Sequence, residues 1–240
     1  MDGIAGKACV VTGSTKGIGL SVARCLAEAG ADVVISSRSA RDVENVAADL
    51  DAKSAGRVVG IACDVSRVED CHELIGGAVE ELGRLDVLIN NAAVGIYASI
   101  TELTVEDWQR QIDTNLGGVF YCSKAAVPHL LESDDAWIVN VGSLACRNPF
   151  AGGTGYNASK FGLLGLSEAM MLDLRHKGIR VATIMPGSVN TDFGGSPASP
   201  EAAWKLGPED VASAVIHLLG YGGNALVSRI EMRPSRPPKK

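Results

Sequence analysis

Three residues of this chain could do chemistry together: Tyr156, Lys160 and, thirteen positions before the tyrosine, Ser143. A tyrosine and a lysine four apart on a helix share one face, one turn apart. A free phenol, with a pKa of about 10, is a poor acid or base at neutral pH. Bringing it near 7 takes roughly 4 kcal/mol. A unit charge about 4 Å away, in an effective dielectric of about 20, supplies that much. The spacing therefore predicts a tyrosine that the lysine tunes to give and take a proton. Ser143 could add a second donor at the same substrate oxygen. Because such spacing can arise by coincidence, the elements around it decide the reading.

Those elements alternate. Short β-branched runs at 8–12, 33–37, 58–62, 87–90, 137–141, 180–185 and 226–232 read as strands. Longer runs at 17–29, 40–53, 67–82, 105–131, 155–177 and 209–219 read as helices. Ser66 to Glu69 and Thr104 to Asp107 read as helix-capping boxes, and Gly178 stands where a helix ends. The alternation predicts an α/β fold: one Rossmann-type, doubly wound parallel sheet of seven strands with helices on both faces. Right-handed crossovers place the functional loops at the C-terminal strand ends. Ser143 follows one strand and Tyr156 begins the next helix, so both fall at that edge. One catalytic domain spans 1–233. Residues 234–240, rich in proline and charge, read as an extended or disordered tail.

Between the first strand and first helix lies Thr12, Gly13, Ser14, Thr15, Lys16, Gly17, Ile18, Gly19. Glycines there let the backbone turn tightly and approach a bound group, and the helix N-terminus suits a pyrophosphate. The spacing Gly-x-x-x-Gly-x-Gly differs from the common Gly-x-Gly-x-x-Gly pattern. The second strand ends in Ser36, Ser37 and Arg38, with no acid before Asp42. An acid there would suit NAD; an arginine suits the 2′-phosphate of NADP. Lys16 could assist Arg38, so NADP(H) is expected rather than NAD. Asp64 and Val65 close the third strand, where the carboxylate could meet an adenine amino group.

The bulk composition sets limits. Net charge is −6 with both signs interspersed, which offers no basic patch for nucleic acid. The N-terminus has no secretion-signal pattern and no apolar run reaches membrane-spanning length. Six cysteines without metal-ligand spacing indicate reduced thiols, no metal and a cytoplasmic location. Cys146 reads as a wall residue near Ser143, and the four histidines as surface or packing residues.

With these motifs in order, the chain resembles the short-chain dehydrogenase/reductase family over nearly its whole length. The matching residues are the glycine loop from Thr12, Asp64 and Val65, the run Asn90, Asn91, Ala92, Ala93, then Asn115, Ser143, Tyr156 to Lys160, Pro186, Gly187 and Thr191. The resemblance implies hydride transfer between NADP(H) and a carbonyl or secondary alcohol. It implies that Tyr156 is the acid/base, that Lys160 lowers its pKa and bonds the nicotinamide ribose, and that Ser143 bonds the substrate oxygen. It gives Asn115 a water linking Lys160 to solvent. It places Asn91, Ala92 and Ala93 along the cofactor, and Pro186, Gly187, Val189 and Thr191 at its nicotinamide end. It also implies a homo-oligomer, dimer or tetramer, built on the two long helices.

Ala93 departs from the family's usual glycine. The segment from Asp192 to Ala203, made mostly of small residues, predicts a mobile lid and an open site. The ending around Glu231 and Met232 resembles NADP-dependent 3-hydroxy acid dehydrogenases more than 3-oxoacyl-carrier-protein reductases, and both substrate classes stay open. The alternative to an enzyme is an NADPH-binding regulatory or assembly protein with little turnover.

Overall fold

Strands that are apolar on both faces need cover on both sides. In the computed structural model, which describes residues 3–195, 197–222 and 224–238, seven strands meet this need. They are β1 (Ala8–Thr12), β2 (Asp32–Ser36), β3 (Val58–Gly60), β4 (Val87–Asn90), β5 (Ala136–Val141), β6 (Ile179–Pro186) and β7 (Arg229–Met232). The helices are α1 (Gly17–Glu28), α2 (Ala40–Asp51), α3 (Val68–Leu82), α4 (Val105–Ile112), α5 (Gly118–Leu130), α6 (Thr154–Leu174) and α7 (Pro208–Leu219). All strand pairs are parallel, in the order β3-β2-β1-β4-β5-β6-β7.

Alternate strand residues feed two cores. Cys9, Val11, Val33, Ile35, Val87 and Ile89 pack with α1, α2 and α7 on one face. Val10, Val34 and Leu88 pack with α3 and α5 on the other. The chain winds outward from β1 in one direction, then returns to lay β4 on its other side. That reversal opens a crevice above the C-terminal ends of β1 and β4. A buried polar chain runs beneath it: Asn90 Nδ2 donates to Ser123 Oγ and Asn140 Oδ1, and Asn140 Nδ2 to Ser167 Oγ. It ties β4 and β5 to α5 and α6 and so fixes α6 against the sheet.

Several elements differ from expectation. The run 105–131 is not one regular helix: a π turn, Asp113–Gly117, joins α4 to α5. β3 ends at Gly60, yet Ile61 and Cys63 still donate to Ile35 and Ser37, which carries Asp64 to the crevice. β7 begins only at Arg229, opposite Thr183, and lies at the sheet edge. Ser66 does not cap α3; Arg67 occupies that position without a side-chain bond. The Ser66 hydroxyl instead donates to Asp64 Oδ1 at 2.7 Å, a local turn that competes with the cap. Thr104 does accept from the Asp107 amide, and Gly178 ends its helix with φ +85°.

Candidate active site

The glycine loop leaves β1 and enters α1 with two constraints on its backbone. Gly13 has φ +64°, and a Cβ there would meet Ala92 Cα at 2.8 Å. A Cβ on Gly19 would meet Gly13 O and Asn91 Nδ2 at 2.4 Å each. Only glycine fits this approach of the loop to the end of β4. Ser14 turns inward: its Oγ donates to Val11 O at 2.6 Å and accepts from the Ser36 amide. It locks the loop to β2. Ser14 and Gly19 therefore support the loop from behind, whereas Gly13, Thr15, Lys16, Gly17 and Ile18 line the crevice.

The crevice is a cleft of roughly 1730 Å³ that runs from this loop to Tyr156. Arg38 and Asp64 stand at one end. Burial opposes ionisation of Asp64, but hydrogen bonds from Ser66 and the nearby Arg38 guanidinium hold its carboxyl below the usual range. The α1 N-terminus opens onto the cleft. Its first turn holds no acid and its N-cap residue, Lys16, makes no side-chain bond, unlike α2 and α4 with their capping hydroxyls and acids. Free amides and a positive dipole end are what a pyrophosphate needs. Thr191 faces Gly17 across the cleft, its Cγ2 3.4 Å from where a Cβ would lie. The residues present thus fit a dinucleotide. Pro186, Gly187 and Val189 line the same wall beyond the end of β6.

Asn91, Ala92 and Ala93 also line the cleft. The Asn91 amide, however, is spent inside the protein, donating to Thr12 O and Gly13 O. Thr12 Oγ1 accepts from the Asn91 and Ala92 amides at 3.0 and 3.1 Å. Thr12 is thus a supporting residue that sequence reasoning passed over, although it opens the motif.

At the other end, Ser143 follows β5 and Tyr156 and Lys160 sit in the first turns of α6, as the spacing predicts. Lys160 is only 3% exposed; its Nζ donates to Val141 O at 3.1 Å and lies 5.8 Å from the Tyr156 ring centre. Burial lowers its pKa to about 8. Tyr156 differs from expectation. Burial pushes its phenol above the ordinary tyrosine range, and the facing Ser143 hydroxyl draws it part of the way back. Desolvation dominates at the phenol even with the Lys160 ammonium near its ring. Cys146 lies buried under the Ser143 turn and does not line the cleft.

Asn115 lies in the π turn. Its side chain accepts from the Val94 amide at 2.8 Å and donates to Val94 O and Ser159 Oγ. Gln111, one turn earlier, accepts from the Ile96 amide at 3.2 Å. These two amides hold the irregular segment after β4, which no ladder supports. Gln111 was missed because a glutamine in a polar helix carries no signal of burial. Three rings were missed as well: Tyr97, Phe150 and Phe193 surround Tyr156. Phe193 lies within the segment expected to be an open lid, and it covers the tyrosine. Among the described residues, no cluster could hold a metal and no helix is long and apolar enough to cross a membrane.

Comparison with known proteins agrees with this geometry. The sequence model for short chain dehydrogenases matches residues 7–201. Dehydrogenase/reductase SDR family member 4 of Oryctolagus cuniculus is 39% identical over 193 residues, which cover 80% of this chain and 74% of that protein. An uncharacterized oxidoreductase of Staphylococcus aureus (strain MRSA252) is 34% identical over 228 residues, 95% of this chain and 97% of its own. Among solved structures, an alcohol dehydrogenase from the archaeon Thermococcus sibiricus, complexed with 5-hydroxy-NADP, superposes with TM-score 0.91 at 29% identity, covering 98% of this chain and 99% of that one. A short chain dehydrogenase from Burkholderia cenocepacia, in complex with NADP, gives 0.86 at 32% identity, covering 96% and 97%. The chain belongs to the short-chain dehydrogenase family of NAD(P)-dependent oxidoreductases.

Proposed function

We propose that the protein interconverts a carbonyl compound and a secondary alcohol with NADP(H). The observation that carries this reading is one cleft with Arg38 and an uncapped helix N-terminus at one end and Ser143, Tyr156 and Lys160 at the other. When bound, the nicotinamide supplies or accepts the hydride. Tyr156 gives the proton to the carbonyl oxygen as charge builds there, and Ser143 donates a second hydrogen bond to that oxygen. Lys160 keeps a positive charge beside the phenol and favours its ionised form when the reaction runs towards the ketone. Asn115 holds Val94 and, through Ser159, the first turns of α6, so it keeps the two walls in register. Gly13, Thr15, Lys16, Gly17 and Ile18 would hold the pyrophosphate, and Ser37, Arg38, Asp64 and Val65 the adenosine half. Ala92, Ala93, Pro186, Gly187, Val189 and Thr191 would enclose the nicotinamide half. The NADP complexes among the similar structures support Arg38 as a phosphate ligand.

Compounds of the 3-oxoacyl and 3-hydroxy acid type are the substrate classes that the chain's ending suggests. The catalytic unit spans 1–233, with 234–240 as its tail. It associates as a dimer or tetramer, and its six free thiols suit the cytoplasm. Absorbance of NADPH, followed with a panel of ketones, 3-oxoacyl thioesters and, in reverse, 3-hydroxy acids, tests the reaction. Arg38→Asp tests the cofactor: it should weaken NADPH at least about tenfold more than NADH. Equal losses for both cofactors would refute the phosphate assignment.

A further inference from the structure

Three aromatic rings with no part in proton transfer stand around Tyr156. The Tyr97 ring meets it edge-on with centroids 5.5 Å apart, Phe193 lies at 6.0 Å and Phe150 at 6.3 Å. Tyr97 and Phe150 also touch, at 5.7 Å. Tyr156 is 7% exposed, whereas Tyr97, Phe150 and Phe193 are 50, 45 and 40% exposed. All four line the cleft. Half-open ring surface at a reaction centre is surface that an apolar ligand can cover favourably.

The box is built rather than incidental. Phe193 lies over Gly95, where a Cβ would meet its Cε1 at 2.6 Å. Tyr97 lies over Gly194, where a Cβ would meet its Cε2 at 2.7 Å. The loops after β4 and β6 therefore clasp each other, ring over glycine in both directions. Phe150 depends on Gly153 in the same way, at 2.5 Å.

No cation among the described residues engages the three rings. Among the described residues, no lysine or arginine lies over Tyr97, Phe150 or Phe193, and the one ammonium at Tyr156 is Lys160, held by Val141 O. Arg147, the cation nearest Phe150 in the chain, is paired with Glu231 at 2.8 Å. Next to Phe193, Asp192 adds a negative charge and accepts from the Ala198 amide.

We propose that the substrate carries an uncharged aromatic group beside its carbonyl, as in an aryl ketone, seated against Tyr97, Phe150 and Phe193. The proposal rests on the carbonyl-reducing reading above. Its test is NADPH-dependent reduction of acetophenone and 2-butanone by wild type, Phe193→Ala and Phe193→Leu. Acetophenone should exceed 2-butanone in kcat/KM at least about tenfold. The acetophenone to 2-butanone ratio should fall at least about tenfold in Phe193→Ala, through KM, with Phe193→Leu between. Near-ultraviolet circular dichroism confirms that each variant is folded. Preference for 2-butanone, or a ratio that stays fixed in both folded variants, overturns the substrate class. In that case Tyr156-dependent turnover of 2-butanone would leave the reaction itself standing. Failure of every carbonyl to oxidise NADPH removes the reaction and, with it, the substrate class.

Discussion

Lys160 carries a charge at a cost. Burial sets its pKa at about 8, so at neutral pH it stays protonated inside the fold. In the unfolded chain the amine titrates near 10.4. Between about pH 8 and 10.4 the unfolded state binds more protons, so this residue makes stability rise with pH across that window. Below about pH 8 both states are protonated and the full penalty, about 3 kcal/mol, applies. Lys160→Met should therefore raise Tm at pH 7 by several degrees while abolishing turnover, and the gain should shrink as pH approaches 10. Scanning calorimetry at pH 7 and 9.5 checks this; a lower Tm at pH 7 would contradict it. The spacing of Tyr156 and Lys160 was legible in the sequence. Their electrostatics were not, because the phenol's desolvation and the carbonyl of Val141 belong to packing.

At the scale of elements, α4 and its π turn act as a clamp on the segment after β4. Gln111 and Asn115 stand four residues apart and take the Ile96 and Val94 amides. That segment carries Ala93 at one end and Tyr97 at the other, and both line the cleft, so the clamp sets the wall between the proposed cofactor and substrate positions. Gln111→Leu leaves the Ile96 amide without its acceptor, which should cost about 1 kcal/mol. It should also raise KM for bulky carbonyl substrates more than it lowers kcat, since the proposed proton donor, Tyr156, lies on α6. An unchanged Tm with equal loss in both constants would count against the clamp. Strand–helix alternation was plain from the residues, and β1 and β4 match their expected bounds. The π turn was hidden because its residues remain helical in pattern; only the pull of Asn115 towards Val94 distinguishes it. Ser66 misled for a related reason: Asp64, two residues away, offered its hydroxyl a nearer partner than the helix.

Over the whole molecule, one reversal of strand order brings the uncapped α1 N-terminus and the set Ser143, Tyr156 and Lys160 to one cleft. The order of motifs made this arrangement legible. The aromatic box was not, because Tyr97, Phe150 and Phe193 lie far apart in sequence and meet only through the three loops after β4, β5 and β6. Phe120, Phe161 and Leu172 leave exposed apolar surface on α5 and α6. This fits the proposed association, so Phe161→Glu should shift sedimentation towards monomer; a wild type that sediments as monomer would remove the proposal. The central claim concerns Tyr156, and it is tested by separating binding from turnover. NADPH fluorescence titration of Tyr156→Phe should give a Kd within about threefold of wild type, while kcat on the best carbonyl substrate falls at least about a hundredfold. Wild-type turnover in a variant that still binds NADPH would contradict the assignment of Tyr156 as the proton donor.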